Sequence, residues 1–235
     1  MTGPTKKSRG TLALVGGGEF SAACADLHRS LLQAAGTDTV HVIPTAAAFE
    51  NPQSVIDTAV AHFESIGAEV VPVMALTRRD AEDDRVVKAA KSAKFAYLTD
   101  GSPLHLRGVM KDSSLFAVLA ASYRNGGVFA ASGAGAALVV DPMVDPRGGA
   151  YTVGLGLVDG LAVFPYHGSA ADHMRMRSIE LLPDSATLAG LDEHTALVRD
   201  GDGAWRVVGP GSVTLYRGGA EPESHHDSVI TTLTM

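Results

Sequence analysis

Gly126-Gly127-Val128-Phe129-Ala130-Ala131-Ser132-Gly133-Ala134-Gly135-Ala136 is the stretch from which the rest of the chain can be read. A short apolar run leaves one glycine pair and meets a second glycine-rich turn, after which only small residues follow. A strand, a sharp turn and a helix opening on small side chains form the outline of a nucleophile elbow, which lifts one residue above the edge of a sheet. A phosphate loop is the competing reading, and it needs G-x-G-x-x-G between strand and helix. Gly133-Ala134-Gly135-Ala136-Ala137-Leu138 supplies the first two glycines and then Leu, a weak match. Glycines that only let the backbone turn tightly are the plainest alternative.

Upstream, Thr11–Val15, Val40–Ile43, Glu69–Val73 and Phe95–Leu98 are further short apolar runs. Segments with helical spacing separate them: Ser21–Ala35, with Cys24, Leu27, Leu31 and Leu32 on one face, then Ser54–Ile66 and Asp80–Ala93. Five strands alternating with helices predict an α/β three-layer sandwich with a mainly parallel sheet, because each crossover returns the chain over one face. Downstream the texture changes. Gly, Pro and Asp cluster from Asp141 to Gly149, and short runs follow at Tyr151–Val153 and Leu161–Phe164. A helix is expected near Ala170–Leu182, then a small β-rich portion over Ala186–Tyr216 with turn pairs at Asp200-Gly201 and Asp202-Gly203. Residues 1–10 read as a mobile leader, 11–218 as one domain and 219–235 as a tail.

Composition narrows the function. The 235 residues include 26 Gly, about 11% against a usual share of roughly 7%, which suits a turn-rich compact domain. Net charge is −7, and Lys6, Lys7 and Arg9 form the only basic run, so a nucleic-acid or anionic-membrane binder is not expected. One cysteine, Cys24, excludes an internal disulfide framework and a multi-cysteine metal site. No apolar run reaches the roughly 18 residues of a membrane span, and the N-terminus lacks a signal-peptide apolar region. A cytoplasmic protein without a membrane partner or cofactor is expected, and a homodimer is left open.

Further motifs accompany the corner: Gly16-Gly17-Gly18-Glu19, Pro44-Thr45-Ala46, Leu98-Thr99-Asp100-Gly101, Gly154-Leu155-Gly156-Leu157, Tyr166-His167 and Gly190-Leu191-Asp192-Glu193-His194-Thr195-Ala196-Leu197. In order and spacing the chain from Thr11 to Val198 resembles the peptidase E and cyanophycinase family of serine peptidases. The resemblance implies a class I glutamine amidotransferase-like (flavodoxin-like) fold and a serine hydrolase acting on small acidic or isopeptide-type substrates. That family carries G-x-Ser-Ala-Gly-Ala at the corner, so Gly133 stands where the nucleophilic serine belongs. Ser132, one residue earlier, should point the other way, since side chains alternate along a strand. Cys24 is a possible substitute nucleophile, set against a buried helix-face cysteine.

His167 matches the family's catalytic histidine. Asp145 is the first candidate for the acid that orients it and Asp141 the second; Asp beside Pro is also ordinary turn chemistry. The resemblance makes the N–H groups of Gly101 and Ala134 the oxyanion-hole donors, which survive loss of the serine because they are main-chain groups. Asp100, Ser102 and His105 are expected to line the pocket. Asp172, His173, Arg175 and Arg177 share a predicted helix, where Arg175 or Arg177 resembles the arginines that follow the family histidine and is a candidate to bind a substrate carboxylate. His225-His226 with Asp227 is a weak metal candidate, and no metal is expected.

Three readings follow. The first is a peptidase-like descendant without serine-peptidase activity. The second is an altered enzyme in which His167 activates water or an amine and the hole polarises a carbonyl. The third is a non-catalytic protein that binds a small peptide or amino-acid-derived ligand.

Overall fold

A computed structural model describes residues 9–233 of the chain. Of the expected leader, residues 1–8 lie outside the described residues, while Gly10 is buried and its N–H donates to the Tyr123 carbonyl.

Five strands are parallel: β1 (Leu12–Val15), β2 (Thr39–Ile43), β3 (Glu69–Pro72), β4 (Phe95–Leu98) and β5 (Val128–Ser132). Between them run α1 (Ala25–Ala35), α2 (Pro52–Ser65), α3 (Arg78–Ala81), α4 (Asp84–Lys91), α5 (Pro103–Met110) and α6 (Ser114–Arg124). The expected helix over Asp80–Ala93 is two helices. Thr77 and Asp80 close a capping box on α3, and the Asp83 carboxylate then accepts from Arg85 N–H to begin α4, so the second cap interrupts the first helix.

After β5 come α7 (Ala134–Val139) and two pairs of two-residue strands, β6 (Val140–Asp141) with β9 (Val158–Asp159) and β7 (Met143–Val144) with β8 (Tyr151–Thr152). The remainder is β10 (Leu161–Phe164), α8 (Asp172–Glu180), β11 (Thr187–Leu191), β12 (Ala196–Arg199), β13 (Trp205–Val208), β14 (Val213–Tyr216), β15 (Glu223–His225) and β16 (Val229–Ile230).

The main sheet has eight strands in the order β16-β13-β12-β1-β5-β4-β2-β3, its three C-terminal members antiparallel to their neighbours. A second sheet, β10-β11-β14-β15, stands apart. The main sheet is covered on both faces, which is why its central strands β1, β4 and β5 are buried at every position and apolar at all but Ser132. Leu12, Leu14, Leu98 and Phe129 belong to one buried cluster; Ala13, Val15, Tyr97 and Ala130 belong to the other, with Leu27, Leu31, Ile56 and Phe63 of α1 and α2. The fold is the three-layer α/β arrangement with a β-rich C-terminal portion.

The expected tail over 219–235 is corrected over residues 219–233, while residues 234–235 lie outside the described residues. β15 extends the second sheet, Ile230 pairs with Trp205, and Leu233 is buried. These contacts form with strands distant along the chain, so isolated apolar residues without local periodicity suffice to place the segment. No helix among the described residues is long and apolar enough to cross a membrane.

Candidate functional site

The carboxyl ends of β1, β4 and β5 lie side by side, with Val15 opposite Ser132 and Leu98 opposite Ala131. Ligands in open α/β sheets bind beyond such ends. At the end of β5, Gly133 takes φ 50° and ψ −114° before α7 begins. A residue with a Cβ is strained in that conformation. Space is a second reason for glycine: an added Cβ would lie 2.1 Å from the Asp100 Cγ.

The Asp100 carboxylate therefore occupies the volume a side chain at position 133 would fill. Its Oδ1 accepts from Gly101 N–H and from Ala134 N–H, each at 2.7 Å, the two donors expected to serve an oxyanion. Its Oδ2 accepts from the Tyr166 hydroxyl. The Tyr166 ring reaches this point over Gly17, where φ is +127° and a Cβ would stand 2.4 Å from the ring.

Behind Asp100 sits a second carboxyl group. Glu19 Oε1 accepts from Asp100 N–H at 3.1 Å, and Oε2 accepts from the Ser132 hydroxyl at 3.0 Å. Burial pushes the Glu19 carboxyl above the usual carboxylate range, and the Asp100 charge adds to the rise against the backbone hydrogen bonds. Ser132 is fully buried and spent on Glu19. It does not face the pocket, as the strand alternation predicts.

The pocket above this corner has a volume of about 320 Å³, with Asp100, Gly101, Ala134, Phe164, Tyr166 and Met174 among its walls. Of the residues expected here, Asp100, Gly101 and Ala134 are brought together and the others are engaged elsewhere. Ser102 caps α5, its hydroxyl accepting from His105 N–H. His105 Nε2 lies 2.9 Å from the Leu76 carbonyl oxygen, and the ring rests against Phe49. Arg175 donates to the His167 carbonyl oxygen at 3.1 Å, and Arg177 is exposed on α8.

His167 is not among the pocket's lining residues. Its Nε2 lies 2.7 Å from the Tyr216 hydroxyl on β14, and its Nδ1 lies 3.6 Å from Asp192 Oδ1. That second distance is an ion-pair separation rather than a hydrogen bond. Burial lowers the His167 pKa below the ordinary histidine value, against the Asp192 carboxylate, which raises it. The ring packs on Gly190 of β11, where a Cβ would come within 2.3 Å of it.

Asp145 is thus not the partner of His167. Its carboxylate is held by Arg147, whose Nε lies 3.0 Å away and which keeps the acid below its ordinary range. Asp141 accepts from Gly154 N–H at 2.8 Å. The acid beside His167 is Asp192, whose other oxygen is anchored by Ser212 N–H at 2.9 Å. Its signal was present in the Gly190–Leu197 motif, which the parallel pairing of β10 with β11 sets next to the Tyr166-His167 turn. Glu19, Tyr166 and Tyr216 were missed as site residues. Glu19 closes the Gly16–Glu19 motif, whereas nothing in the spacing marks Tyr216.

The remaining candidates are structural. Cys24 is fully buried, and burial pushes its thiol up to about 11, far from a nucleophile's range. His226 Nδ1 lies 2.6 Å from the Gly211 carbonyl oxygen. Among the described residues, no group of three or more His, Cys, Asp or Glu side chains is placed to hold a metal ion.

Comparison with known proteins places this geometry in a lineage. The profile of Peptidase family S51 matches residues 12–207. A cyanophycinase from Nostoc sp. (strain PCC 7120) is 28% identical over 214 residues, covering 86% of this chain and 72% of the relative. A cyanophycinase from Geminocystis herdmanii is 26% identical over 235 residues, covering 94% and 85%. The crystal structure of a peptidase from an acI-B1 Actinobacterium superposes with a TM-score of 0.86 at 25% identity, covering 95% of this chain and 97% of that one.

Proposed function

The chain belongs to peptidase family S51, and from that premise we propose that it has given up serine acyl transfer at the corner and uses the pocket there to bind a small peptide or amino-acid-derived ligand. One observation carries the reading: Asp100 Oδ1 lies between the N–H groups of Gly101 and Ala134, above a residue with no side chain. A nucleophile elbow works by holding an attacking oxygen above the turn and donors beside it for the developing oxyanion. Here the attacking oxygen is missing, and a carboxylate holds the donors. Each change alone is severe. Removing the serine of subtilisin costs on the order of 10⁶ in turnover. Filling the hole with a carboxylate denies a substrate carbonyl both the donors and, by like charge, the approach.

The reading in which His167 activates water draws less support, since Tyr216 engages its Nε2 and the ring stands outside the pocket wall. Fluorophosphonate treatment of the wild-type protein, followed by peptide mass spectrometry, is the test. No adduct on Ser132 and no release of amino acids from a dipeptide library are expected. An adduct there, or turnover that dies with it, overturns the proposal.

A further inference from the structure

The chemistry of the pocket floor has a consequence for what can bind. A hole built for an oxyanion presents donors, and its ligand end is negative or becoming so. In this chain both donors are taken internally, and the surface offered to a ligand is the outer side of a carboxylate. We propose that the corner pocket is a cation site: it takes a small organic ammonium with an apolar body, its charged end seated on Asp100 and Tyr166. This rests on the reading above that the corner binds rather than performs acyl transfer, and it names the ligand class.

Three observations support it. First, Asp100 is held rigidly, with two donors on Oδ1 and one on Oδ2. An ionised carboxylate has about four acceptor positions, so one remains for the ligand. The Tyr166 hydroxyl spends its proton on Asp100, and its oxygen is left to accept a second ammonium hydrogen. Second, no lysine or arginine is among the described residues that line it. An incoming carboxylate would meet Asp100 without compensation, which rejects anions as firmly as it admits cations. Third, the remaining wall is apolar, with Val144, Phe164, Ala137 and Met174 around a volume of about 320 Å³. That suits a compact hydrocarbon body behind one charged head. Phe164, an aromatic residue, is among these walls, and a cation is favourably placed near an aromatic ring.

Calorimetry with benzylamine, benzyl alcohol and benzoate tests this on the full-length wild-type chain. These probes share a ring and differ in the charge of the head. Benzylamine should bind more tightly than benzyl alcohol, and benzoate more weakly than either. In Asp100→Asn the benzylamine preference should fall by at least about ten-fold while benzyl alcohol changes little. Should that variant fail to fold, salt decides on the wild type: benzylamine binding should weaken with added NaCl and benzyl alcohol binding should not. Equal affinity for amine and alcohol, tighter benzoate binding, an unchanged preference in folded Asp100→Asn, salt-independent benzylamine binding, or no binding of any probe overturns the proposal. Fluorophosphonate labelling of the same preparation reports separately on acyl transfer, so the two readings fail independently.

Discussion

On the reading proposed above, Gly133 at the end of β5 and His167 beyond β10 would have to meet for serine-peptidase chemistry, and the structure holds the two in different ways. At the corner the main chain turns sharply from strand to helix, with two N–H groups aimed at one point that the Asp100 carboxylate occupies. At the histidine the side chain is present, but its ring nitrogens face Tyr216 and Asp192, and it is not among the residues lining the pocket. The corner donors are main-chain N–H groups, Gly101 in the turn after β4 and Ala134 at the start of α7, and no side-chain substitution removes them. The His167 ring nitrogens are engaged by side chains, Tyr216 and Asp192, and a rotation or a new partner on a second sheet redirects them. Main-chain chemistry is the more durable part of the site.

The largest expected effect tests how tightly the corner is committed to its new occupant. Gly133→Ala introduces a Cβ at φ 50° and 2.1 Å from the Asp100 Cγ. Backbone strain of this kind costs about 1–3 kcal/mol. Driving Asp100 off its donors adds about 1–3 kcal/mol for the groups left unpaired. Urea denaturation should show the sum as a lower midpoint with an unchanged slope. A variant as stable as wild type would mean that Asp100 swings out freely and does not define the corner.

Next in size is the coupling between the two positions. Gly133→Ser should be destabilised like Gly133→Ala, and adding Asp100→Gly should recover about 0.5–3 kcal/mol of the loss, because the clash belongs to the pair. Strict additivity in the double-mutant cycle would sever the two positions. The double variant should still resist fluorophosphonate, since the His167 Nε2 remains on Tyr216. Labelling would show instead that the histidine turn moves readily and that the two regions have not diverged as far as their geometry indicates.

What was legible beforehand divides along the same line. Phe95–Leu98 and Leu161–Phe164 were bounded correctly because a buried strand needs only a short apolar run between turns. The turn at Gly133 was readable from the order of strand, glycine and helix, whereas the donors at Gly101 and Ala134 came only from the family resemblance. Side-chain partners were not readable. The sequence reading names Asp145 first and Asp141 second and leaves Asp192 out; Arg147, two residues away, takes Asp145, while β10–β11 pairing delivers Asp192. The position of the Asp100 carboxylate depends on a Cβ that is missing on another strand, and no local pattern records that.

The smallest effect concerns the pH dependence of the histidine turn. Burial lowers the His167 pKa in the folded protein, so the unfolded chain binds the proton more readily. The stability that neutral His167 contributes is present above its unfolded value near 6.5 and is lost as pH falls toward the lower folded value. His28, buried against His62 and held down to about 3, acts in the same direction. Glu19 acts oppositely: its raised pKa favours the folded state at low pH, and that contribution is lost as pH rises above 4.5. Both backgrounds cancel when wild type is compared with His167→Gln at each pH. The stability advantage of wild type should shrink as pH falls below 6.5. A constant difference would mean that His167 titrates alike in both states, as a histidine turned toward water and the pocket would, and the contrast between the two regions would fail at its histidine end.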